Sequence, residues 1–559
     1  MMKNAGPEFF SGLTPSRGLP RLTRFSRSPA TGKYGEAWSV AAARFPDQRI
    51  VLQRPADIAP EGGVEYTFSR WAGLVDEAAA ALRAAGVRAW DRVAIMKANH
   101  PDVQVIGCAA AKLGAIPFQL AWNHGTEVAE TLLRRLDRPY LVTDPGRLEL
   151  AWPGGARAAL AALTETTVLI GGRGDGVVSY ADLRGSAPAP TTLRDWTEPM
   201  VATHTSGTTG FPKFALHSAE SMHALTHVET ENWFLQGFRS SDVWAYLDPY
   251  FHQRTVTALL ALATTGPKLV AISDIPGPGI AELFVAHKPT VVDMLPNIYL
   301  ALEPMARDRP GLFENVRFYI NSFDAIHTRT MRAFLVASKA PMPFWIQSWS
   351  QTENGVLVFR PYVRAMVRRV GKYPPPTQQL GWPLPTVAKV RAVDPHTGKQ
   401  VPHGQVGLIE INQPGRCLDY VGESDRHRNK VDGWWWNTGD LGIISRWGSV
   451  RLVDREIDRI RGASGIAMED VLLDRLPETS EVVVLARPNT LPVPVYSTYD
   501  GAAIAPDRWS AAVAGLPPLG EPIHLDWAKI PRTATWKVRR VELRQQLFGE
   551  PALGLGNWT

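Results

Sequence analysis

The sequence predicts an α/β protein of layered sheets and helices, with a small antiparallel β subdomain, and three observations carry that prediction. Helical patterns alternate with short apolar strand patterns along the first part of the chain and again in its centre. The stretch from Val387 to Asn412 changes character, to short strands broken by turn residues. The 559 residues and 45% hydrophobic content suit a large folded body plus a second unit.

In chain order, residues 1–33 carry Arg17, Arg21, Arg24, Arg27 and Lys33 among Pro, Gly and Ser, which predicts a flexible basic arm. From Tyr66 the text FSRWAGLVDEAAAALRAAGV puts Leu74, Ala78, Ala81 and Leu82 on one helical face. Residues 92–96 form a strand pattern, and Val103 to Leu113 an apolar helix ending at Gly114. Strand patterns return at 268–272, 290–294 and 316–320. Within VAKVRAVDPHTGKQVPHGQVGLIEIN, His396-Thr397-Gly398 and His403-Gly404 mark the turns of the antiparallel subdomain. The chain shows no internal repeat and no low-complexity linker.

Composition excludes several classes. The formal charge of +6 comes from 60 basic and 54 acidic residues that are interspersed without a long block, so bulk nucleic-acid binding is not expected. Two cysteines, Cys108 and Cys417, make neither a disulfide framework nor a zinc pattern, which fits a reducing cytoplasm. The N-terminal stretch lacks the apolar run of a secretory signal, and no segment reaches the ~18 apolar residues of a membrane span. A cytoplasmic protein without a membrane partner is expected. Nothing in the sequence bears on oligomeric state.

The segment Thr205-Ser206-Gly207-Thr208-Thr209-Gly210-Phe211-Pro212-Lys213 packs two glycines, four hydroxyls and a lysine into nine residues. Glycines let backbone N–H groups approach phosphate oxygens, hydroxyls donate further hydrogen bonds, and the lysine adds a compact positive charge. Lys213 comes three residues after Gly210 and is followed by Phe214, so the P-loop spacing is absent and P-loop NTPases are excluded. On this motif alone, a glycine-rich surface turn is the alternative.

From about Tyr66 to Leu547 the chain resembles the AMP-forming superfamily of acyl-CoA synthetases, adenylation domains and luciferases, whose phosphate loop has this form. The resemblance implies a large N-terminal domain, here 34–454, followed by a small mobile α+β C-terminal domain, here 455–559, with ATP and an acid as substrates. The stretch Gln347-Ser348-Trp349-Ser350-Gln351-Thr352-Glu353 resembles the YGxTE motif, which implies Mg²⁺ on Glu353, adenine stacking on Trp349, nucleotide contact at Thr352 and substrate contact at Ser348. Taken alone, Thr352-Glu353 is equally a helix cap. Residues 432–440, DGWWWNTGD, are similar to the segment whose last aspartate, here Asp440, accepts both ribose hydroxyls; a Gly-Asp turn over a buried tryptophan cluster is the alternative. Arg455, in VDREIDRI, matches a nucleotide-contacting arginine at the domain junction, and otherwise reads as an exposed helix charge. Ile530 to Arg540 resembles PxTxSGKxxR, which implies that Lys537 is the lysine that neutralises charge between the acid and the α-phosphate; taken alone, a terminal basic run is otherwise a solvated surface. Lys213, Glu353 and Lys537 are thereby the expected catalytic residues.

Tyr250-Phe251-His252-Gln253 resembles the stretch lining the acyl pocket of aryl- and acyl-CoA synthetases, so Phe251 and His252 are expected at the substrate, with a hydrogen-bonded core histidine as the alternative. The family's SGGAP appears as Ser322-Phe323-Asp324-Ala325-Ile326, which predicts a pocket narrowed by Phe323 and an Asp324 able to recognise a cationic or hydrogen-bonding substituent, with a structural ion pair as the alternative. Ile457 stands at the hinge, and Trp536 replaces the glycine before the lysine. The resemblance implies that the acyl-adenylate passes to coenzyme A. The alternatives are an amine, a carrier protein or nitrite, as in diazotase-like members. A nucleotide-binding regulatory protein with a decayed site is the alternative of another class.

Overall fold

The computed structural model describes residues 7–10, 13, 32–205, 211–230, 237–274, 277, 279–384, 388–455, 460, 463–487 and 490–549, with backbone alone at 228, 229, 454 and 455. Two compact units divide the chain, one formed by 1–289, 352–355 and 414–429, the other by 290–351, 356–413 and 430–559. This division follows a different line from the 454/455 boundary that the resemblance implies.

The first unit holds an eight-stranded sheet. Its centre is parallel, Pro199–His204, Ile116–Gln119, Arg92–Met96, Tyr140–Thr143, Thr167–Leu169 and Val178–Ser179 in spatial order, as expected where helices connect strands of one sheet. At one end Phe214–Ser218 runs antiparallel to Pro199–His204, and Asp419–Val421 antiparallel to Phe214–Ser218. Four other strands of this unit form one end of a 14-stranded sheet, with Val243–Leu247, Lys268–Ala271 and Arg49–Leu52 parallel and Glu65–Thr67 antiparallel at the edge.

The predicted helix after Tyr66 spans Phe68–Ala84, opened by Thr67, whose hydroxyl accepts from the Arg70 amide at 3.1 Å. Its expected face, Leu74, Ala78, Ala81 and Leu82, is buried. The helix Asp102–Lys112 also follows the prediction. Part of the predicted flexible arm is packed instead. Pro7–Phe10 forms a 3-10 turn whose Phe10 is buried in the core with Phe118, Leu132 and Leu141. Most of the remaining arm lies outside the described residues.

In the second unit Val291–Met294, Phe318–Asn321 and Phe344–Gln351 are parallel, and the sheet continues through Gly355–Val363 into antiparallel strands Gln379–Pro383, Val450–Arg455, Trp435–Ile444, Val406–Asn412 and Lys389–Val393. The last two are the predicted antiparallel subdomain, with Val390 opposite Ile411; Val387 lies outside the described residues. A separate three-stranded sheet, Thr479–Leu485, Val493–Thr498 and Ile523–His524, packs against the helix Gly465–Arg475 through Leu472, Val482 and Tyr496. Among the described residues no helix is long and apolar enough to cross a membrane.

Candidate active site

The phosphate-loop motif is the connection of a hairpin. His204 pairs with Phe214, the Thr205 amide donates to the Lys213 carbonyl at 2.9 Å, and Thr205 Oγ1 accepts from the Lys213 amide at 3.1 Å. Thr205 and Lys213 therefore clamp the base of the loop; Ser206, Gly207, Thr208, Thr209 and Gly210 lie outside the described residues. Behind the clamp, His204 Nδ1 lies 2.7 Å from the Thr205 carbonyl, which only accepts, so Nδ1 carries the proton. Nε2 then accepts from the Ala121 amide at 2.8 Å. Burial pushes the His204 imidazole down to about 4, so it stays neutral.

Pairing of Asp419–Val421 with the following strand sets Tyr420 opposite Ala215, and this brings a residue that no motif marked into the site. The Tyr420 hydroxyl donates to Glu353 Oε1, and Lys213 Nζ lies 5.6 Å from the Tyr420 ring centroid. Burial, reinforced by the Glu353 charge, holds the phenol far above its ordinary range, so it remains a donor. Glu353 is half-buried, and its carboxylate keeps further acceptor sites beside the one Tyr420 fills. Such an oxygen ligand fits Mg²⁺ shared with phosphates, since that ion keeps waters and takes one or two carboxylates. The Asp57, His100 and Asp102 group, which has metal-ligand spacing, is a different case. Lys97 Nζ sits 2.7 Å from Asp57 and 2.6 Å from Asp102, filling it with an internal cation.

Thr352 is buried between two histidines. Its carbonyl accepts from His217 Nε2 at 3.0 Å, and its hydroxyl lies 3.3 Å from His252 Nε2. His252 is the N-cap of the helix Gln253–Thr265, its Nδ1 accepting from the Arg254 amide at 3.1 Å, so Nε2 holds the proton and donates to Thr352. His252 is thus a hydrogen-bonded, buried histidine tied to the residue beside Glu353. Phe251, also buried, stacks on His204 at 5.0 Å and meets Trp122 edge-on at 5.5 Å.

In the second unit Trp349, expected as an adenine platform, donates its indole N–H to Asp440 Oδ2 at 3.1 Å while its ring packs on Ala392, Ile409 and Ile444. Gln351 Nε2 donates to the Thr438 carbonyl at 2.7 Å and lies 3.4 Å from the same Asp440 oxygen. Trp436 in turn donates to Gln351 Oε1 at 3.1 Å. Asp440 is therefore held by donors from the Ser348-bearing strand, and sheet register sets it opposite Arg455, whose side chain lies outside the described residues. Ser348 is half-buried on that strand.

Phe323 and Asp324 follow the strand Phe318–Asn321. Phe323 adopts φ +76°, the left-handed backbone a glycine favours, and Asp324 is exposed, its Oδ1 accepting from the Ala325 amide at 2.9 Å. Lys537 ends a tight turn in which the Trp536 amide donates to the Thr533 carbonyl and the Thr533 amide to the Lys537 carbonyl, both at 2.9 Å. Trp536 sits at φ +61°. This is the position of a hairpin bulge that ordinarily takes glycine. Ile457 lies outside the described residues. Lys213, Glu353 and His252 belong to the first unit, and Asp440, Phe323, Asp324 and Lys537 to the second.

A mixed α/β fold with a hydroxyl- and glycine-rich loop, a TE carboxylate and a buried aspartate held by an indole defines an adenylate-forming enzyme. A family model described as AMP-binding enzyme matches residues 38–421, and the chain belongs to that family. It is 34% identical over 564 residues to a 3-amino-2-hydroxy-4-methoxybenzoate diazotase of Streptomyces cremeus, covering 96% of this chain and 99% of the relative. It is 24% identical to a 3-aminoavenalumate diazotase of a Streptomyces species, covering 88% of this chain and 91% of the relative. Among solved structures, an anthranilate CoA ligase in complex with anthranoyl-AMP shares the fold at a TM-score of 0.76 and 20% identity, covering 93% of this chain and 98% of that one.

Proposed function

We propose that the enzyme is an ATP-dependent diazotase acting on an amino-substituted aromatic acid with nitrite. The observation that carries this reading is near full-length similarity to a diazotase of an aminobenzoate. Support comes from the residues that depart from the CoA-ligase pattern, Phe323-Asp324 and Trp536.

In the first step a nitrite oxygen attacks the α-phosphorus of ATP, forming a nitrosyl–AMP anhydride and releasing pyrophosphate. In the second the arylamine nitrogen attacks the nitrosyl nitrogen, AMP leaves and the amine gives up a proton, and the resulting N-nitrosamine tautomerises to a diazohydroxide that takes up a proton and loses water to give the diazonium. Lys213 and its loop hold the phosphates, Lys537 neutralises charge between the incoming oxyanion and the α-phosphate, Asp440 accepts the ribose hydroxyls, and Arg455 contacts the nucleotide. Mg²⁺ on Glu353 supplies charge to the leaving pyrophosphate when bound. Tyr420 fixes that carboxylate by donating to it. From the resemblance, Phe251, His252, Ser348 and Phe323 are assigned to the aromatic acid and Asp324 to its amine, from which it accepts a hydrogen bond and takes the proton as nitrogen attacks.

The test is pyrophosphate release from ATP and Mg²⁺ across a panel of aminobenzoic acids, with nitrite or coenzyme A added singly. Nitrite-dependent release, with isotope-labelled nitrite nitrogen recovered in a diazo product, is the expected result. Release that requires a carboxylic acid and coenzyme A, yields a thioester and ignores nitrite would replace this reading with thioester formation, the transfer the family resemblance implies.

A further inference from the structure

We infer that Asn297 is a positioning residue for Lys537, fastening the lysine turn to the body of its own unit. The inference rests on the proposed role of Lys537 at the α-phosphate.

Helix Pro296–Ala301 begins directly after the strand Val291–Met294, and Asn297 lies in its first turn. Its Nδ2 donates to the Trp536 carbonyl at 2.5 Å, and Arg532 Nη1 reaches the same carbonyl at 3.3 Å. That carbonyl belongs to the peptide group joining Trp536 to Lys537. The amide of the same peptide group donates to Thr533 Oγ1 at 3.2 Å, so its two polar ends are both held. Arg532 is anchored by Glu481 at 2.8 Å, with both side chains buried, and its guanidinium lies 4.5 Å from the Trp527 ring centroid. The Trp536 ring lies 5.5 Å from the Trp527 ring, so the residue that replaces glycine adds an aromatic contact to the same turn.

Asn297 works within a larger attachment. Arg329, buried and paired with Glu303 at 3.0 Å, donates to the carbonyls of Leu473, Leu476 and Thr479 at 2.7, 3.1 and 3.0 Å. The Tyr499 hydroxyl donates to the Leu300 carbonyl at 3.0 Å. Residues 465–537 are thus tied at several points to 290–337, and among these ties the Asn297 bond falls on the peptide group of Lys537 itself. A side chain that fixes this peptide group acts on where Nζ can reach. It therefore affects the rate of the charged step and leaves nucleotide affinity alone.

Asn297→Asp keeps the shape and removes the donor; Asn297→Ala removes both. Hydrogen exchange on the full-length protein should show the Thr533, Trp536 and Lys537 amides exchanging about tenfold faster in both variants. The amides of Thr479–Leu485 should be unchanged, which confirms the fold. In pyrophosphate release, kcat should fall about tenfold with KM for ATP within about twofold of the wild type. In a Lys537→Ala background the added Asn297→Asp change should alter kcat by less than about twofold. Unchanged exchange at 533–537, or losses that multiply in the double variant, would overturn the inference. If a carboxylic acid and not nitrite supports pyrophosphate release, the diazotase reading falls, and the same comparisons made with that acid still decide the role of Asn297.

Discussion

Phe323 and Trp536 hold left-handed backbone, at φ +76° and +61°, at two positions where the resembled motifs carry glycine. An L side chain there crowds its own carbonyl, at a cost of about 1–2 kcal/mol. The turns persist because neighbours over-determine them, as the hydrogen bonds around Trp536 illustrate. Replacement by alanine removes the ring and keeps the strain, whereas glycine removes both. At each position the glycine variant should be the more stable by about 1 kcal/mol in urea unfolding. Equal stability of the two variants would mean that the left-handed backbone carries no cost. Asp324 was legible as a departure from a glycine motif, and its exposure is consistent with contact to a substituent. Tyr420 was not legible. It is 67 residues from Glu353 in sequence, lies in no motif, and meets Glu353 through strand pairing.

At the scale of the element, the helix Gly465–Arg475 carries a buried acid that no sequence pattern singles out. Asp470 accepts from the Thr328 amide at 3.2 Å and from the Thr377 hydroxyl, yet burial dominates and pushes its carboxyl up to about 7. An unfolded aspartate titrates near ~3.9, so between about 4 and about 7 the folded chain holds a proton that the unfolded chain has lost. This contribution to stability is complete below about 4 and disappears as pH rises through about 7. Asp470→Asn mimics the protonated acid at every pH. Its stability relative to the wild type should therefore grow by at least about 1 kcal/mol between pH ~4.5 and ~8 in denaturant titrations. A constant difference would show that Asp470 ionises normally in the fold. The hairpin closed by Thr205 and Lys213 is the contrasting element. Its glycines, hydroxyls and lysine are contiguous, so the phosphate-binding role proposed for it is readable as a string.

Across the whole molecule, both units enclose histidines that burial keeps neutral. His204 and His217 in the first and His327 in the second are each pushed down to about 4. An unfolded histidine gains its proton near ~6.5, so each such group adds stability above that pH and loses it as pH falls toward about 4. The protein should accordingly unfold at lower urea concentration as pH drops from ~6.5 to ~4.5, taking up more than one proton per molecule. Proton uptake on unfolding, measured by pH-stat or by calorimetry in buffers of different ionisation enthalpy, checks this; uptake near zero at pH ~5.5 would contradict it. The opposing effect of Asp470 is separable, because Asp470→Asn removes it and leaves the histidines in place.

By itself the sequence determined the α/β class, the antiparallel subdomain and the run of motifs from Thr205 to Lys537, because periodicity and contiguous motifs are local properties of a chain. The tertiary structure decided what those motifs touch. Only folding turns the Trp349 indole to Asp440, sets Tyr420 on Glu353, places the His252 ring at a helix cap facing Thr352, and brings Asn297 to the carbonyl before Lys537. Each of these contacts joins residues 67 to 239 positions apart, and no pattern in the sequence encodes such a pairing. The pairing follows from strand register and helix packing, which the chain acquires only when its core closes.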